Sequence, residues 1–201
     1  MAKRSAPEVN AGSMADIAFL LLIFFLVTTT IEVDSGINSK LPPDIEQDDV
    51  IKKQKNIFTV ELNKNNQMLV EGDLMEIKDL KTAAIKFIDN GAGKGKDACS
   101  YCNGAKDPSS SDNPNAAVIS ITHSRATEYE TFITVYDQLV SAYSELRERL
   151  SQKLYNRSFK EMEASFDDSK SPEFKSEKLK DKIENIKQKY PRIISKAEPK
   201  F

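Results

Sequence analysis

The chain has 201 residues, enough for one core domain with tails but not for two full domains. Its 29 Lys and Arg residues are balanced by 31 Asp and Glu residues, so no basic excess indicates nucleic acid as a partner. It contains one His and two Cys residues, which leaves little material for a metal site or a catalytic set. We therefore expect a protein that is not an enzyme and has no cofactor.

One apolar segment near the N-terminus departs from the mean hydropathy of −0.49. Residues 17–27 are continuously apolar, and extending the segment to residues 12–31 gives a helix of about 30 Å, long enough to span a bilayer. The alternatives are a signal peptide and a buried core helix. No small-x-small cleavage site follows the apolar residues, and a core helix would show a polar stripe. We interpret residues 12–31 as a single transmembrane helix.

The charges that flank this segment predict its orientation. Lys3 and Arg4 precede the helix, whereas Glu32 and Asp34 follow it. Positive charge is retained on the cytoplasmic side of the membrane. Residues 1–11 are therefore expected in the cytoplasm, with the rest of the chain on the other side.

The remaining chain predicts a small two-layer α/β domain at residues 57–155, preceded by a flexible linker at 32–56. Its expected elements are strands at 57–62, 67–71 and 117–121 and helices at 76–90 and 127–155. Residues 91–115 are rich in Gly, Ser, Pro, Asn and Asp, which indicates a loop insertion. Residues 156–201 form a charged extension, for which we expect a peripheral helix and a loose tail.

The last helix of this domain carries a regular aromatic and aliphatic stripe. Its members are spaced alternately three and four residues apart: Tyr129, Phe132, Tyr136, Leu139, Tyr143, Leu146 and Leu150. In one interpretation the helix packs on the sheet through this stripe. In the other, its C-terminal half packs on another protein or on a second copy of the chain.

Asp16 is the only ionisable residue within the apolar segment. If it lies within the membrane, its charge costs about 2.5–3.5 kcal/mol, and a carboxyl group there is suited to taking up and releasing a proton. The alternative is structural, because Ser13 and Asp16 have the spacing of a helix capping box. The residues alone leave both interpretations open.

Two further motifs carry weaker signals. Cys99 and Cys102 predict a loop disulfide or two free thiols rather than a metal site, because only His123 remains as a further ligand of that type. Residues 91–96 are rich in Gly and Lys but lack the spacing of a phosphate-binding loop, and we interpret them as a flexible linker.

Residues 10–27 resemble the N-terminal signature of the ExbD/TolR family of biopolymer transport proteins. The family pattern has an Asn six residues before the membrane Asp, a Leu-rich stretch and paired aromatic residues. The matching positions are Asn10, Asp16, Leu20, Leu21, Leu22, Phe24 and Phe25. Leu41 and Pro42 resemble the end of the family's post-membrane segment, and Thr127 with Tyr129 resembles its Thr-x-Tyr helix start.

The sequence also departs from the family pattern. Gly12 and Ser13 stand where the family usually has Thr-Pro, and Ser124 stands where an acidic residue is common. Residues 91–115 and the tail after residue 155 are additional.

The resemblance implies a proton-motive-force transducing subunit of the cell inner membrane. Its helix would pair with that of a second copy, as a homodimer, inside the pore of a pentameric ExbB- or TolQ-like membrane protein. Asp16 would carry protons, with Asn10 and Thr30 as candidates for the proton path or for a partner contact. The periplasmic domain would pass work to a TonB- or TolA-like protein. ExbD-like uptake, TolR-like envelope maintenance and a tethered periplasmic binding module without a proton role all remain open.

Overall fold

The structure, a computed structural model, describes residues 11–28 and 54–197. These two ranges belong to different compact units, which are described separately below. The expected cytoplasmic N-terminus, most of the linker at 32–56, and the candidate site residues Asn10 and Thr30 lie outside the described residues.

The first unit contains helix α1, Ala11–Thr28. Between residues 14 and 25, the large apolar side chains are exposed on all sides of the helix: Met14, Ile17, Phe19, Leu20, Leu21, Leu22, Ile23, Phe24 and Phe25. The helix therefore lacks the polar stripe of an ordinary surface helix. Among the described residues, no helix combines the length and the apolar character that crossing a membrane requires.

The second unit is built on a five-stranded mixed sheet with the strand order β3-β2-β1-β4-β5. The strands are β1 (Ile57–Leu62), β2 (Met68–Val70), β3 (Asp73–Met75), β4 (Val118–His123) and β5 (Ile194–Lys196). The β1–β2 and β2–β3 pairs are antiparallel, whereas β1–β4 and β4–β5 are parallel. Together with the helices, this sheet confirms the predicted α/β class.

Strand β1 shows why its sequence forms a half-buried strand. Phe58, Val60 and Leu62 alternate with less buried residues, so one face of the strand meets the core. After the strand, the Asn63 side-chain oxygen accepts hydrogen bonds of 2.9 Å from the amides of Asn65 and Gln67. These bonds close the turn that returns the chain into β2. The predicted hairpin is confirmed.

Four α-helices accompany the sheet within residues 54–197: α2 (Ile77–Ile88), α3 (Tyr129–Tyr155), α4 (Phe159–Asp167) and α5 (Glu177–Lys189). Their buried apolar residues form one cluster with the inward-facing residues of the strands. Helix α2 ends just before Gly91, whose φ of +69° is easily adopted only by glycine. The two helices predicted in residues 57–155 are confirmed.

The segment after residue 155 differs from the expected peripheral helix and loose tail. Strand β5 pairs with β4 as the edge of the sheet. The segment also contributes seven buried residues to the core: Phe159, Met162, Leu179, Ile183, Ile186, Tyr190 and Ile194. The α/β domain therefore does not end at residue 155, because the segment that follows completes its core. The difference arises because β5 has only three residues, too few to show an alternating pattern.

The stripe on α3 is covered by the same chain. Tyr143 is 1% exposed and Leu146 is 0% exposed. The hydroxyl of Tyr143 lies 3.5 Å from the carbonyl oxygen of Ile193. Only the first residue of the stripe, Tyr129, is largely exposed, at 75%. The interpretation that the C-terminal half packs on another chain is wrong, because residues 156–196 occupy that surface.

Candidate functional site

Asp16 lies in the second turn of α1 and is exposed. Leu20 and Ile23 follow it by four and seven residues, so they share its face of the helix, and both are also exposed. No other residue between Ala11 and Thr28 is ionisable. The geometry is a single carboxylate on a helix whose large side chains between residues 14 and 25 are apolar and exposed.

The start of α1 tests the capping-box interpretation of Asp16. Ala11 and Gly12 are already helical, so Ser13 lies inside the helix. An N-cap residue has a non-helical backbone and directly precedes the first helical residue. The capping-box interpretation is therefore wrong. Asn10 and Thr30, the other two candidate residues, lie outside the described residues and remain predictions.

The Thr-x-Tyr segment has a structural role at its first residue. The Thr127 hydroxyl donates to the carbonyl oxygen of Asn63 at 3.1 Å, and the Ser124 amide donates to the Thr127 hydroxyl at 3.1 Å. These bonds tie the approach to α3 to the end of β1. Tyr129, at the start of α3, projects into solvent.

The single histidine lies at the C-terminal end of β4, inside the sheet order and not at an edge strand. His123 ends β4, with its Nδ1 atom 3.0 Å from the Ser124 carbonyl oxygen and its ring centroid 5.0 Å from that of Phe132. In residues 11–28 and 54–197, no three His, Cys, Asp or Glu residues are grouped as ligands for a metal ion.

Cys99 and Cys102 form a disulfide, with their Cα atoms 5.6 Å apart. Of the alternatives that the sequence left open for these residues, the structure contains the loop disulfide. Both cysteines are half-buried.

The insertion between α2 and β4 is more organised than a flexible linker. The Gly93 amide donates to the Asp112 carbonyl oxygen at 2.7 Å, and a Cβ atom at Gly93 would lie 2.1 Å from the Asp97 carbonyl oxygen. Glycine is therefore required there by close packing of the backbone. The side chain of Asn90 donates to the carbonyl oxygens of Asp107 and Ser111 at 2.9 and 2.8 Å.

Two polar clusters that sequence reasoning missed hold this insertion. In the first, Asp89 is 3% exposed and accepts hydrogen bonds from Tyr190 at 2.6 Å, from Arg149 at 2.5 Å and from the Asn103 amide at 3.1 Å. Burial, and then the hydrogen bond to Asp89, raises the pKa of Tyr190 above its ordinary value. The cluster therefore joins α2, α3, the insertion and the end of α5.

The second cluster fixes the far end of the insertion beside β1. The Asp112 carboxylate is bound by Lys55 at 2.5 Å and by the Asn56 amide group at 3.1 Å, while the Asp112 backbone amide donates to the Asn56 side chain at 2.8 Å. The sequence signal in both clusters is a lone Asp in a loop or at a helix end. It is weak because the side chains that bind each carboxylate lie more than fifty residues away along the chain.

The comparison with protein families identifies the class of protein. The model of the family described as biopolymer transport protein ExbD/TolR matches residues 2–148. The chain belongs to this family. The match includes α1 with Asp16 and extends into α3, whereas α4, α5 and β5 lie beyond it. No curated protein matches the chain.

Proposed function

We propose that this chain transduces the proton-motive force in an inner-membrane complex and that Asp16 is its proton-carrying residue. Membership of the ExbD/TolR family makes the chain an energy-coupling subunit in biopolymer transport. The observation that carries the finer proposal is the surface of α1, where Asp16 is the single ionisable residue among exposed apolar side chains.

The physical argument begins with those apolar side chains. A continuous exposed apolar surface indicates contact with lipid or with another protein. Once α1 is covered in this way, a charged Asp16 is costly by about 2.5–3.5 kcal/mol, and binding a proton removes that cost. Moving one charge through 100 mV provides about 2.3 kcal/mol, a similar energy. Proton uptake and release at Asp16 is thus matched in scale to the driving force.

The proposed assembly follows the family's general organisation. An ExbB- or TolQ-like pentamer surrounds the α1 helices of two copies of this chain, with Asn10 and Thr30 near the proton path. The N-terminus is cytoplasmic and the α/β domain periplasmic, where it acts on a TonB- or TolA-like protein. The disulfide between Cys99 and Cys102 supports this location, because disulfides persist in oxidising compartments such as the periplasm.

The test is Asp16→Asn in the full chain, co-expressed with its polytopic membrane partner. The amide keeps the shape and polarity of the carboxyl group but cannot titrate. We expect normal protein levels and co-purification, with energised transport abolished. Asp16→Glu should retain partial activity at best. Asp73→Asn, the same chemical change at an exposed position of β3, and Ser13→Ala should both leave transport unchanged.

Full transport activity in Asp16→Asn would overturn the proton-carrier proposal and favour a tethered periplasmic module. The same strains separate the two systems within the family. Loss of outer-membrane uptake with an intact envelope would identify an ExbD-like subunit, whereas detergent sensitivity with normal uptake would identify a TolR-like one.

A further inference from the structure

The disulfide lies within one loop and does not join separate elements. Cys99 and Cys102 are three residues apart. A cross-link that closes so short a loop restricts the unfolded chain much less than one that closes a long loop. Its main effect in the folded protein is therefore local: it fixes the conformation of Ser100 and Tyr101.

Tyr101 is the residue through which this loop contacts the end of α5. Its ring meets that of Tyr190 edge-on, with centroids 5.4 Å apart, and its hydroxyl donates to the Lys189 carbonyl oxygen at 2.8 Å. The Lys189 ammonium group lies 4.8 Å from the Tyr101 ring centroid. Burial, and then the nearby Asp89 carboxylate, raises the pKa of the Tyr101 hydroxyl, so this hydroxyl remains a donor.

The segment that Tyr101 contacts leads directly into the edge strand. Tyr190 lies four residues before Ile194, the first residue of β5. The Tyr190 carbonyl oxygen accepts two hydrogen bonds from Arg147, at 3.0 and 2.8 Å, and its hydroxyl donates to Asp89. The position of β5 therefore depends on contacts around Tyr190, and one of these is made by the disulfide loop.

The other side of the disulfide rests on the end of α2. A Cβ atom at Gly91 would lie 2.8 Å from the Cβ atom of Cys102, so the two residues are in close contact. The amides of Asn103 and Gly104 donate to the side chain and the carbonyl oxygen of Asp89 at 3.1 and 3.0 Å. The disulfide thus lies between the end of α2 and the end of α5.

The cysteines themselves have the features of an exchangeable pair. They form a Cys-x-x-Cys sequence, with two residues between the cysteines, which is found in many dithiol oxidoreductases. Both cysteines are partly accessible. The Cys102 amide donates to the Cys99 sulfur atom at 3.1 Å. This hydrogen bond would stabilise a thiolate at Cys99 and make it the better leaving group.

We propose that Cys99 and Cys102 form a redox-active disulfide that exchanges with an external dithiol, and that its reduction loosens the segment from Tyr190 to β5. A reductant thiolate attacks the Cys102 sulfur atom, the bond to Cys99 breaks, and Cys99 leaves as a thiolate. The second reductant thiolate then attacks the mixed disulfide and displaces Cys102. The reductant loses two electrons to become a disulfide, and the two cysteines gain two electrons and bind two protons.

The experiment treats the full-length protein in detergent with dithiothreitol, without denaturant. After gel filtration has removed the dithiothreitol, which itself reacts with the reagent, free thiols are counted with a chromogenic disulfide reagent. Amide hydrogen exchange is followed by mass spectrometry. We expect two thiols per chain and roughly tenfold faster exchange at residues 190–197, with exchange in β1 unchanged. If no thiols appear, or if exchange rises only within residues 91–106, the proposal is wrong.

Two variants separate the redox step from its consequence. In the Cys99→Ser/Cys102→Ser double variant, residues 190–197 should exchange as in the reduced protein and should not respond to dithiothreitol. Tyr101→Ala should give the same acceleration while the disulfide remains intact. Slow exchange at residues 190–197 in oxidised Tyr101→Ala would overturn the link through Tyr101. If the double variant does not fold, the wild-type measurement decides the proposal.

Discussion

Helix α1 and the domain of residues 54–197 place their apolar and charged residues in opposite ways. In α1 the large apolar side chains of residues 14–25 are exposed and Asp16 is the single ionisable residue, whereas the domain buries most of its large apolar side chains in one cluster. Its buried carboxylates, Asp89 and Asp112, are bound by Arg149 and Lys55. Within the domain, the apolar residues and the buried carboxylates thus find their partners in the same domain. The exposed apolar residues of α1 find no such partners within α1, so this helix requires a lipid or protein environment.

The largest expected effect concerns the stripe on α3. Leu146→Glu places a charge at a fully buried position, and we expect the domain to unfold, with a loss of more than about 4 kcal/mol. Thermal unfolding followed by circular dichroism measures this loss. Leu154→Glu is the matched control: Leu154 lies on the same helix but is 45% exposed, so the change should cost less than about 1 kcal/mol. A folded Leu146→Glu variant would contradict the assignment of this stripe to the core.

A smaller effect is expected from Asp89→Ala. The substitution leaves the Tyr190 hydroxyl and the Arg149 guanidinium group without their carboxylate partner. Because Arg149 is 40% exposed and can be hydrated, we expect a loss of about 2–3 kcal/mol, below the range for a fully buried pair. Urea unfolding gives the value. In a double-mutant cycle with Arg149→Ala, simple additivity would show that the pair is not coupled.

The smallest effect concerns Glu148, which caps α4 from α3. Its carboxylate accepts hydrogen bonds from the Phe159 amide at 2.9 Å and from the Ser158 hydroxyl at 3.1 Å. Burial is the largest single influence and raises its pKa, but hydrogen bonds from Gln152, Phe159, Ser158 and Lys160 together outweigh burial and lower the pKa. The ionised Glu148 carboxylate therefore stabilises the folded domain fully at pH values above its ordinary pKa of 4.5. This stabilisation is lost as the pH falls through the lower pKa of the folded state.

Glu148→Gln should accordingly cost about 0.5–1 kcal/mol at neutral pH and less in acid. The measurement is the melting temperature of wild type and variant at a series of pH values from neutral to below the ordinary carboxyl pKa of 4.5. A difference that does not change with pH would show that the charge of Glu148 contributes nothing to the cap.

The regular elements of the domain could be predicted because their patterns are local. The alternation of Phe58, Val60 and Leu62 identified β1, and the helical spacing of Leu80, Ala84 and Phe87 identified α2. Strand β5 could not be predicted in this way. Its three residues become a strand only because β4 offers a free edge, and that edge is a property of the folded sheet.

The candidate site was predictable to a different degree. Asp16 is conspicuous in sequence because it interrupts an apolar segment, and the family resemblance gave it a role. The start of α1 at Ala11, which excludes Ser13 as its cap, required the structure. Asp89 was not predicted, because its partners Arg149 and Tyr190 lie 60 and 101 residues away along the chain. Pairs this distant have no local sequence signature.

The position of β5 also affects how the protein is made. Strand β5 lies beside β4 in the sheet, but α3, α4 and α5 separate the two strands along the chain. During synthesis, the backbone edge of β4 stays unpaired and the apolar face of α3 stays exposed until α4, α5 and β5 have been synthesised. Contacts between distant parts of a chain form slowly, and exposed apolar surface invites aggregation during that delay. Folding of this domain is therefore expected to depend on chaperones that bind the unfolded chain until β5 has been synthesised.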